Sequence, residues 1–246
     1  MRLRRALAGA TALLSLAVLC ACTASPEPAP TADPRHITAP EFDGLVLADD
    51  LDPATTIDTT FNLEPLRLKA PSILSFWEAS DGKPADCLDS YFVSFLLQPN
   101  EVQSSPDDEF ADIAGYYPGD DGGVNVAARS FESEDAARAF LDTVAPSASA
   151  CTSAGGYELY QGDGVVGWKV SSVTVTPVAL DIDGVTALEQ EETIVDDFAA
   201  RYRVTLLQHD NAIVAVTAQL HSTSTFTFDQ VDDLVGLVAG RLAELD

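Results

Sequence analysis

Basic side chains are scarce in this 246-residue chain, which has 13 lysines and arginines against 39 acidic residues. The formal net charge of −26 excludes nucleic acid as a partner, because its phosphates would be repelled. The same charge opposes electrostatic docking on anionic lipid headgroups. An acidic surface that keeps an exported protein in solution explains the charge most simply, although cationic or neutral partners and metal ions stay compatible with it.

Catalytic motifs are also missing. The chain has three histidines, and it contains no phosphate-binding loop, dinucleotide fingerprint or HExxH motif. His36 lies in a proline-rich stretch and His209 in a turn sequence, so we expect both to be solvated. His221 precedes a Ser-Thr-Ser sequence, which makes a hydrolytic Ser-His-Asp arrangement imaginable, but no nucleophile elbow accompanies it. We therefore expect no enzymatic activity, no cofactor and no metal site.

The N-terminal segment is first basic and then apolar. Three arginines among the first five residues precede an apolar run from residue 6 to residue 21. This pattern is typical of a secretory signal, and the run is short for a membrane span, which needs roughly 20 apolar residues. The run ends in Leu-Cys-Ala-Cys-Thr, which resembles the bacterial lipobox. The resemblance implies a signal peptide at residues 1–21 and lipidation of Cys22, with a diacylglycerol group and a further acyl chain such as palmitate.

Two alternatives to lipidation of Cys22 stay open. Cys20 is a second candidate acceptor, but it would place Leu19 at the position before the cleavage site, where a small residue is needed. Ordinary secretion would leave Cys22 as a free thiol near the new N-terminus. We favour the lipid anchor on Cys22, because two or three chains attach a protein to a membrane durably.

The sequence predicts three parts after export. Residues 22–40 contain five prolines and few large apolar side chains, which is typical of an extended tether. Residues 41–246 are predicted to form a single domain. Without residues 1–21 the chain keeps 10 of the 13 basic residues and all 39 acids, a formal charge of −29, so the lipid must hold the protein at the extracytoplasmic face of the cell membrane against repulsion. Acid-rich, lysine-poor usage is associated with actinobacteria.

Cysteine is limited to four residues. Removal of Cys20 and lipidation of Cys22 leave Cys87 and Cys151, and an even remainder in an oxidising compartment predicts one disulfide. The two cysteines lack the close spacing of a zinc site and no histidine cluster joins them, so a metal site is not expected here.

Hydrophobic periodicity predicts several helices. Residues 66–79 are interpreted as a helix after Pro71, residues 84–91 as a short helix, and residues 92–97 as a strand or a continuation of that helix. Ser133 is a favourable N-cap for a helix that is expected to stop before Pro146, with Cys151 in the following turn. The apolar positions from Val231 to Leu245 have helical spacing and predict a closing helix capped by Thr227 or Asp229.

Alternating apolar residues predict strands in the second half of the chain. These strands are residues 124–131, 164–178 with a bulge near Ser171, 185–195, 199–208 and 212–221. Asp183-Gly184 predicts a type I′ hairpin turn, and residues 209–211 join the last two strands. The predicted fold class is α+β, with an antiparallel sheet of about four to five strands and helices packed on one face.

Two segments around the cysteines resemble the extracellular sensor domain of mycobacterial PknH-type serine/threonine kinases and of related lipoproteins. The first is the sequence KPADC, which ends at Cys87, and the second runs from Val126 to Phe140 and is followed by Cys151. The resemblance covers about residues 70–245 and implies a helix-backed antiparallel sheet, a disulfide between the two segments, and a ligand-sensing or binding role.

This chain departs from that family at two points. A tryptophan usually precedes the family's second cysteine, whereas this chain has the sequence PSASA there, and no cysteine follows Cys151 to form the family's second disulfide. The chain also has no kinase domain.

Three hypotheses for function follow. The first is a non-enzymatic, ligand-binding or sensor-like lipoprotein of the cell envelope, with Trp168 as the candidate ligand-binding residue if one face of the sheet is uncovered. The second is a protein-interaction or scaffold lipoprotein of an envelope complex, and the third is a hydrolase that uses His221. The sequence from Asp181 to Gly184 resembles part of a calcium loop, but Ala179 and Gln190 stand where that loop needs acids, so a hairpin turn explains it better.

Overall fold

Eight antiparallel strands form one open sheet, flanked by two α-helices, in the described part of this protein. The structure is a computed structural model, and it describes residues 35–47, 50, 77–79, 90, 93, 96, 108–116, 122–161, 166–194, 201–221 and 227–245. The strands are β1 (Trp77–Ala79), β2 (Glu109–Tyr116), β3 (Gly122–Ser130), β4 (Tyr157–Gln161), β5 (Val166–Val178), β6 (Thr186–Ile194), β7 (Arg201–His209) and β8 (Ala212–Leu220). The helices are α1 (Glu134–Ser153) and α2 (Phe228–Ala243), and a short 3-10 helix covers Ala39–Phe42.

The sheet order is β1-β4-β5-β6-β7-β8-β3-β2. The predicted mixture of helices with one antiparallel sheet is confirmed, but the sheet has more strands than the four to five predicted. The strands β1, β2 and β4 were not expected, and β1 replaces the end of the helix predicted over residues 66–79. The described positions Ser90 and Val93 are helical, which agrees with the short helix predicted there and its continuation.

Helices cover both faces of the sheet, so the prediction that they pack on one face is wrong. Val231, Leu234 and Val238 of α2 share a core with Val214 and Val216 of β8. The alternate residues of the same strand lie in a second core, on the other side of the sheet. That second core joins α1 to the sheet through Phe140, Leu141, Val144, Leu206, Ile213 and Ala215. We call these faces the α2 side and the α1 side.

Helix α1 is longer than the sequence predicted. Ser133 caps it as expected, with its Oγ accepting a hydrogen bond from the Ala136 backbone N–H at 3.2 Å. The helix then continues through Pro146 to Ser153, so Cys151 lies in the helix and not in a turn after it. Pro146 removes one helical hydrogen bond, but it is exposed, and the buried face resumes directly at Ser147 and Ala148. Packing on both sides of the proline thus outweighs the lost bond.

The end of α1 rests against a bulge in β5. The pairing of β5 with β6 shifts between Val170 and Ser172, which confirms the predicted bulge. Thr152 Oγ1 accepts from the Val173 N–H at 2.9 Å and donates to the Val173 carbonyl at 2.7 Å. Gly156 then turns the chain with φ +80°, and a Cβ at this position would lie 1.8 Å from the Val170 carbonyl oxygen.

The two predicted hairpins are present, although one turn differs. His209, Asp210 and Asn211 connect β7 to β8 as predicted, with Asp210 in the left-handed region at φ 47°. The loop between β5 and β6 contains Asp183 and Gly184, but only Gly184 has positive φ. A type I′ turn needs positive φ at both central residues, so that turn type is wrong. The His209 ring lies beside this loop, with Nδ1 2.9 Å from the Gly184 carbonyl oxygen.

The buried carboxamide of Asn211 fixes the N-terminal segment to the sheet. Its Oδ1 accepts from the Ile37 N–H at 2.7 Å, and its Nδ2 donates to the Ile37 carbonyl at 3.1 Å and to Ser130 Oγ at 2.8 Å. Ile37 is fully buried. Residues 35–40 therefore belong to the folded domain, so the prediction that the tether of residues 22–40 includes them is wrong. The rest of that tether and the predicted signal peptide lie outside the described residues.

A second contact ties the N-terminal segment to the end of α2. Arg241 forms a bidentate ion pair with Asp50 and donates from Nη1 to the Leu45 carbonyl at 3.0 Å. The hydrogen bond from Arg241 lowers the pKa of the Asp50 carboxyl below its usual value, although partial burial opposes this shift. Closer to the start of the segment, a hydrogen bond from the backbone N–H of Thr38 stabilises the Glu41 carboxylate and so lowers the pKa of Glu41 as well.

We predict that Gly156→Ala lowers the free energy of unfolding by roughly 3 kcal/mol, because the new methyl group adds backbone strain and a clash with β5. Gly155→Ala is the matched control. Gly155 also has positive φ, at +78°, but nothing lies within 4 Å of the place that a methyl group would occupy there, so a loss of about 1 kcal/mol is expected from conformation alone. Urea unfolding of both variants measures the difference, and equal losses would contradict this packing.

We predict that the contact of Asp50 with Arg241 stabilises the fold above about pH 4 and weakens in stronger acid. A carboxyl whose pKa is lower in the folded state than in the unfolded state contributes stability above its unfolded pKa, and this is lost as the pH falls through the folded pKa. Asp50→Asn should cost up to about 1 kcal/mol at pH 7 and flatten the acid limb of a stability-against-pH curve. Arg241→Gln should have the same effect. If the double variant lost as much free energy of unfolding as the sum of the two single variants, a direct contact between Asp50 and Arg241 would be contradicted.

Candidate functional site: a polar half-face on the α1 side of the sheet

The register of four central strands divides the α1 side into an apolar half and a polar half. The apolar half contains the row Leu188, Leu206, Ala215 and Ala127, which runs across β6, β7, β8 and β3. Because side chains alternate between faces, the next rows toward the start of β7 carry every second residue. The first of these rows is Gln190, Val204, Thr217 and Asn125, and the second is Glu192, Tyr202, Gln219 and Gly123.

Six polar side chains therefore share one part of the sheet. Strands lie about 4.8 Å apart and residues advance about 3.4 Å, so these side chains occupy an area of roughly 14 Å by 7 Å. Gln190 and Glu192 are buried, at 0% and 1% exposure, whereas the members from β8 and β3 are partly exposed. We call the following set the polar half-face: Asn125, Gln190, Glu192, Tyr202, Thr217 and Gln219.

Three buried oxygens at the polar half-face have no hydrogen-bond partner in the described structure. Gln190 Nε2 donates to the Ser90 carbonyl at 2.8 Å and to Glu192 Oε1 at 3.2 Å. Gln190 Oε1, Ser90 Oγ and Thr217 Oγ1 are all unpartnered. An unsatisfied buried polar group costs about 1–3 kcal/mol, so each of these oxygens carries a cost that the pairing of the strands does not require.

Arg129, a buried cation on the α1 side, is bound by other groups of the protein. Arg129 of β3 pairs with Asp108, which is also buried, and donates from Nη1 to the Leu96 carbonyl at 2.7 Å. Its guanidinium carbon lies 4.1 Å from the centre of the Phe131 ring and 5.0 Å from that of Phe110. This aromatic surrounding favours a cation, and the arrangement holds Arg129 as a structural group.

Two side chains of the sheet hold the segment that contains Ser90 and Leu96 by its backbone. Gln190 binds the Ser90 carbonyl, and Arg129 binds the Leu96 carbonyl. Leu96 has φ 54°, so its backbone leaves the helical conformation there, and a cation suits the carbonyl-rich end of a helical turn. The contacts come from β6 and β3, which are three strand spacings apart. Ser90 thus lies at the polar half-face, beside Gln190, whereas Leu96 lies at Arg129, whose row with Ile213 belongs to the apolar half.

The sequence-predicted ligand residue Trp168 lies in β5 with its backbone opposite Leu159 of β4. It is five residues from Val173, the partner of Glu192, which is about 17 Å along a strand. The structure does not place its backbone beside the polar half-face, and its side chain lies outside what is described. Ligand binding by Trp168 stays a prediction.

Of the cysteine predictions, only Cys151 lies within the described residues. Cys151 is fully buried in α1 and takes part in a disulfide. Cys22 and Cys87 lie outside the described residues, so the lipidation and the pairing of Cys87 with Cys151 stay predictions. Ser90, three residues after Cys87, is bonded to β6, and Thr152, next to Cys151, is bonded to the adjacent strand β5. This placement is compatible with the predicted pair.

The structure places the histidines at the two ends of the central strands and the acidic turn beside His209. His36 Nδ1 lies 3.1 Å from Asn211 Nδ2, and His209 contacts the Gly184 carbonyl. His221 lies beyond the end of β8 near Gly122, and the Ser-Thr-Ser sequence after it is outside the described residues. Asp181 and Asp183 are exposed in a loop. Within the described ranges, no group of three or more His, Cys, Asp or Glu side chains is arranged to hold a metal ion.

Sequence reasoning missed the polar half-face. Its signal was present in β6, where Gln190 and Glu192 occupy the same phase as the apolar residues Leu188 and Ile194. A strand with one buried face is expected to keep that phase apolar, so the two polar residues marked a change in surroundings. The positions of Asn125, Thr217 and Gln219 in these rows depend on how β3, β7 and β8 are paired, and the sequence alone does not give that pairing.

Comparisons with known proteins give limited similarity. The extracellular domain of PknH from Mycobacterium tuberculosis matches with 17% identity and a TM-score of 0.38, over 54% of this chain and 66% of that domain. An uncharacterised protein from Mycobacterium smegmatis, the Rv0999 ortholog, matches with 15% identity and a TM-score of 0.37, over 68% of this chain and 79% of its own. No family model and no curated protein matches the chain. The described residues contain no helix long and apolar enough to cross a membrane.

We predict that Thr217→Val leaves the stability unchanged or raises it by up to about 1 kcal/mol, because it removes a buried hydroxyl that has no partner. Thr152→Val is the matched control, since that hydroxyl has two partners on Val173 and its removal should cost about 1–2 kcal/mol. Thermal or urea unfolding of the two variants measures this. A destabilised Thr217→Val protein would show that the hydroxyl is satisfied and would remove one of the three oxygens from the site.

Proposed function

We propose that this chain is a non-enzymatic lipoprotein of the cell envelope whose polar half-face binds a small polar ligand. The observation that carries this proposal is the polar half-face itself, whose members Asn125, Thr217 and Gln219 are partly exposed on an otherwise buried side of the sheet. Three buried oxygens on or beside it, on Gln190, Ser90 and Thr217, also have no hydrogen-bond partner in the described structure, and natural proteins retain few such groups. A sensor-like module would use this site to detect an envelope molecule.

The chemistry of the polar half-face supports binding over catalysis. Its side chains are amides, hydroxyls and one carboxylate, which recognise a ligand by hydrogen bonding. Serine hydrolysis needs a histidine within hydrogen-bond reach of the nucleophile. His36 and His209 lie at the opposite end of the central strands, near Asn211. His221 follows β8 beside Gly122, at the same end as the polar half-face, so hydrolysis with His221 is the alternative that the test must exclude.

The position of the attachment end also supports the proposal. The chain enters the described fold at Arg35 and is fixed by Asn211, which precedes β8. Thr217 lies six residues further along the same strand, or about 20 Å away. A lipid on Cys22 and a tether of residues 22–34 would then hold the domain by one end and leave the polar half-face at the other end.

The test is intact and native mass spectrometry of the full chain extracted from membranes of an actinobacterial host. The expected denatured mass lacks residues 1–21 and carries a diacylglyceryl group and an acyl chain on Cys22. Under native conditions a further small-molecule adduct is expected. A single stoichiometric protein partner in place of that adduct would favour the scaffold hypothesis instead.

Two cysteine variants control the anchor. Cys22→Ala should abolish the lipid mass and release the protein from the membrane fraction, whereas Cys20→Ala should change neither. An unmodified full-length mass for the unaltered chain would refute export and lipidation together.

A further inference from the structure

We infer that the surface beside Arg241, which carries Leu47 and Leu237, rests on the lipid surface to which the chain is anchored. This inference rests on the lipid anchor proposed above and adds an apolar contact between the folded domain and the membrane. It follows from the position of these two leucines, from the small area that they offer, and from the end of the domain at which the chain enters.

Leu47 and Leu237 are the only large apolar side chains that are exposed among the described residues, at 50% and 45%. Both lie beside Arg241. Leu237 precedes Arg241 by four positions on α2, where side chains at that spacing are neighbours. The Leu47 N–H donates to Asp50 Oδ2 at 2.6 Å, and the same carboxylate binds the Arg241 guanidinium. We call Leu47, Leu237 and Arg241 the leucine corner.

The backbone of α2 is open beside the leucine corner. Gly236 and Gly240 lie next to Leu237 and Arg241 along the helix, and neither glycine has an atom within 4 Å of the place that a Cβ would occupy, apart from its own helix and chain neighbours. The two leucines are therefore not enclosed by long side chains at these positions, and a flat surface can approach them.

The leucine corner lies at the end of the domain where the chain enters. Asn211 fixes the entering segment at the start of β8, and Arg241 binds the carbonyl of Leu45 in the same segment. The first turn of α2 is near the start of β7, since Arg203 donates to the Phe228 carbonyl at 3.3 Å. The last turn of α2 and the entry of the chain thus share the other end of the sheet.

The length of chain before the domain keeps this end close to the proposed anchor. Residues 22–34 join Cys22 to Arg35, and a stretch of this length can span no more than about 45 Å. A tether of limited reach makes a contact between the domain and the lipid surface an intramolecular event with a high effective concentration. A contact that is too weak for a free protein is then sufficient.

The small area of the leucine corner argues against a protein partner from solution. A stable protein interface buries about 800 Å² on each partner, and two half-exposed leucines offer far less. A second copy of this chain is disfavoured further, because each copy carries a net charge of −26 and the two would repel each other. For a surface that already holds the chain, burial of the leucines adds up to about a tenfold factor each.

The charges near the leucine corner predict a preference for uncharged lipid. Arg241 is paired with Asp50, and the exposed side chains near it in the chain include Asp43 and Glu244. Anionic headgroups would be repelled by these carboxylates. Zwitterionic headgroups avoid that repulsion and let apolar side chains enter the boundary between headgroups and acyl chains.

The test measures how closely added tryptophans approach the lipid in vesicles that hold the anchored protein. Leu47→Trp, Leu237→Trp and Thr193→Trp proteins are extracted from membranes, checked by intact mass for the lipid on Cys22, and reconstituted into phosphatidylcholine vesicles with brominated acyl chains, which quench tryptophan on contact. The unaltered chain, with two tryptophans of its own, gives the background. Thr193 is the matched control, because it is exposed and pairs with Arg201 at the opposite end of β7.

Quenching of the added tryptophan is expected to be at least about fivefold stronger at positions 47 and 237 than at position 193, because only the leucine corner enters the lipid boundary. Leu47→Asp should weaken the quenching at position 237 by about fivefold, whereas Thr193→Asp should leave it unchanged. Neither aspartate should shift the midpoint of urea unfolding, because both side chains are exposed. Replacement of half the phosphatidylcholine by phosphatidylglycerol should also weaken the quenching.

The other outcomes overturn the inference in distinguishable ways. Equal quenching at all three positions, or stronger quenching with phosphatidylglycerol, would contradict an apolar contact at the leucine corner. If Leu47→Asp instead converts a dimer into a monomer in sedimentation, the surface joins two copies of the chain. If the intact mass shows no lipid on Cys22, the proposed anchor fails. The same proteins are then coupled to the vesicles through the thiols of Cys20 and Cys22, and the quenching pattern decides the lipid contact separately.

Discussion

The uninterrupted register of β6, β7, β8 and β3 is the constraint on which the rest of this structure depends. These strands are paired without a bulge, so each row of side chains stays on one face across all of them. Two cores and one polar area result from that single alignment. A shift of one residue in any of these strands would exchange its two faces, and would turn Thr217 and Gln190 toward opposite sides.

Burial of β7 and β8 on both faces explains why the sheet lies between two helices. In β8 the sequence AIVAVTAQL has almost no polar residue until its last third. Such a run is typical of a strand covered on both sides, which the expectation of a single helix layer did not take into account. The closing helix α2 and the β7–β8 hairpin were predictable, because period and turn chemistry are local properties. The second helix layer was readable only from the lack of a polar face in these strands.

Other errors arose where tertiary contacts outweigh local preference. The end of α1 was misplaced because Pro146 is a strong local stop, whereas the buried residues on both sides of it continue the helix. The strands β1, β2 and β4 were missed because they lie at or near the edges of the sheet, where the hydrophobic pattern is weak. The N-terminal boundary was placed too late because Ile37 is a single buried residue in a proline-rich stretch, and its partner Asn211 is 174 positions away.

The polar half-face is not something that the fold itself requires. Along β8 the α2-side positions remain apolar, at Val214, Val216 and Ala218, while the α1-side positions change from Ile213 and Ala215 to Thr217 and Gln219. Both sets belong to one strand with one backbone conformation, so strand propensity cannot explain the change. Valine at position 217 would suit the strand equally well and would avoid a buried hydroxyl without a partner. The unpartnered Thr217 hydroxyl, and the unpartnered Gln190 amide oxygen two strands away in the same row, are therefore costs that strand propensity does not impose, and such local inconsistencies concentrate at functional or strained places.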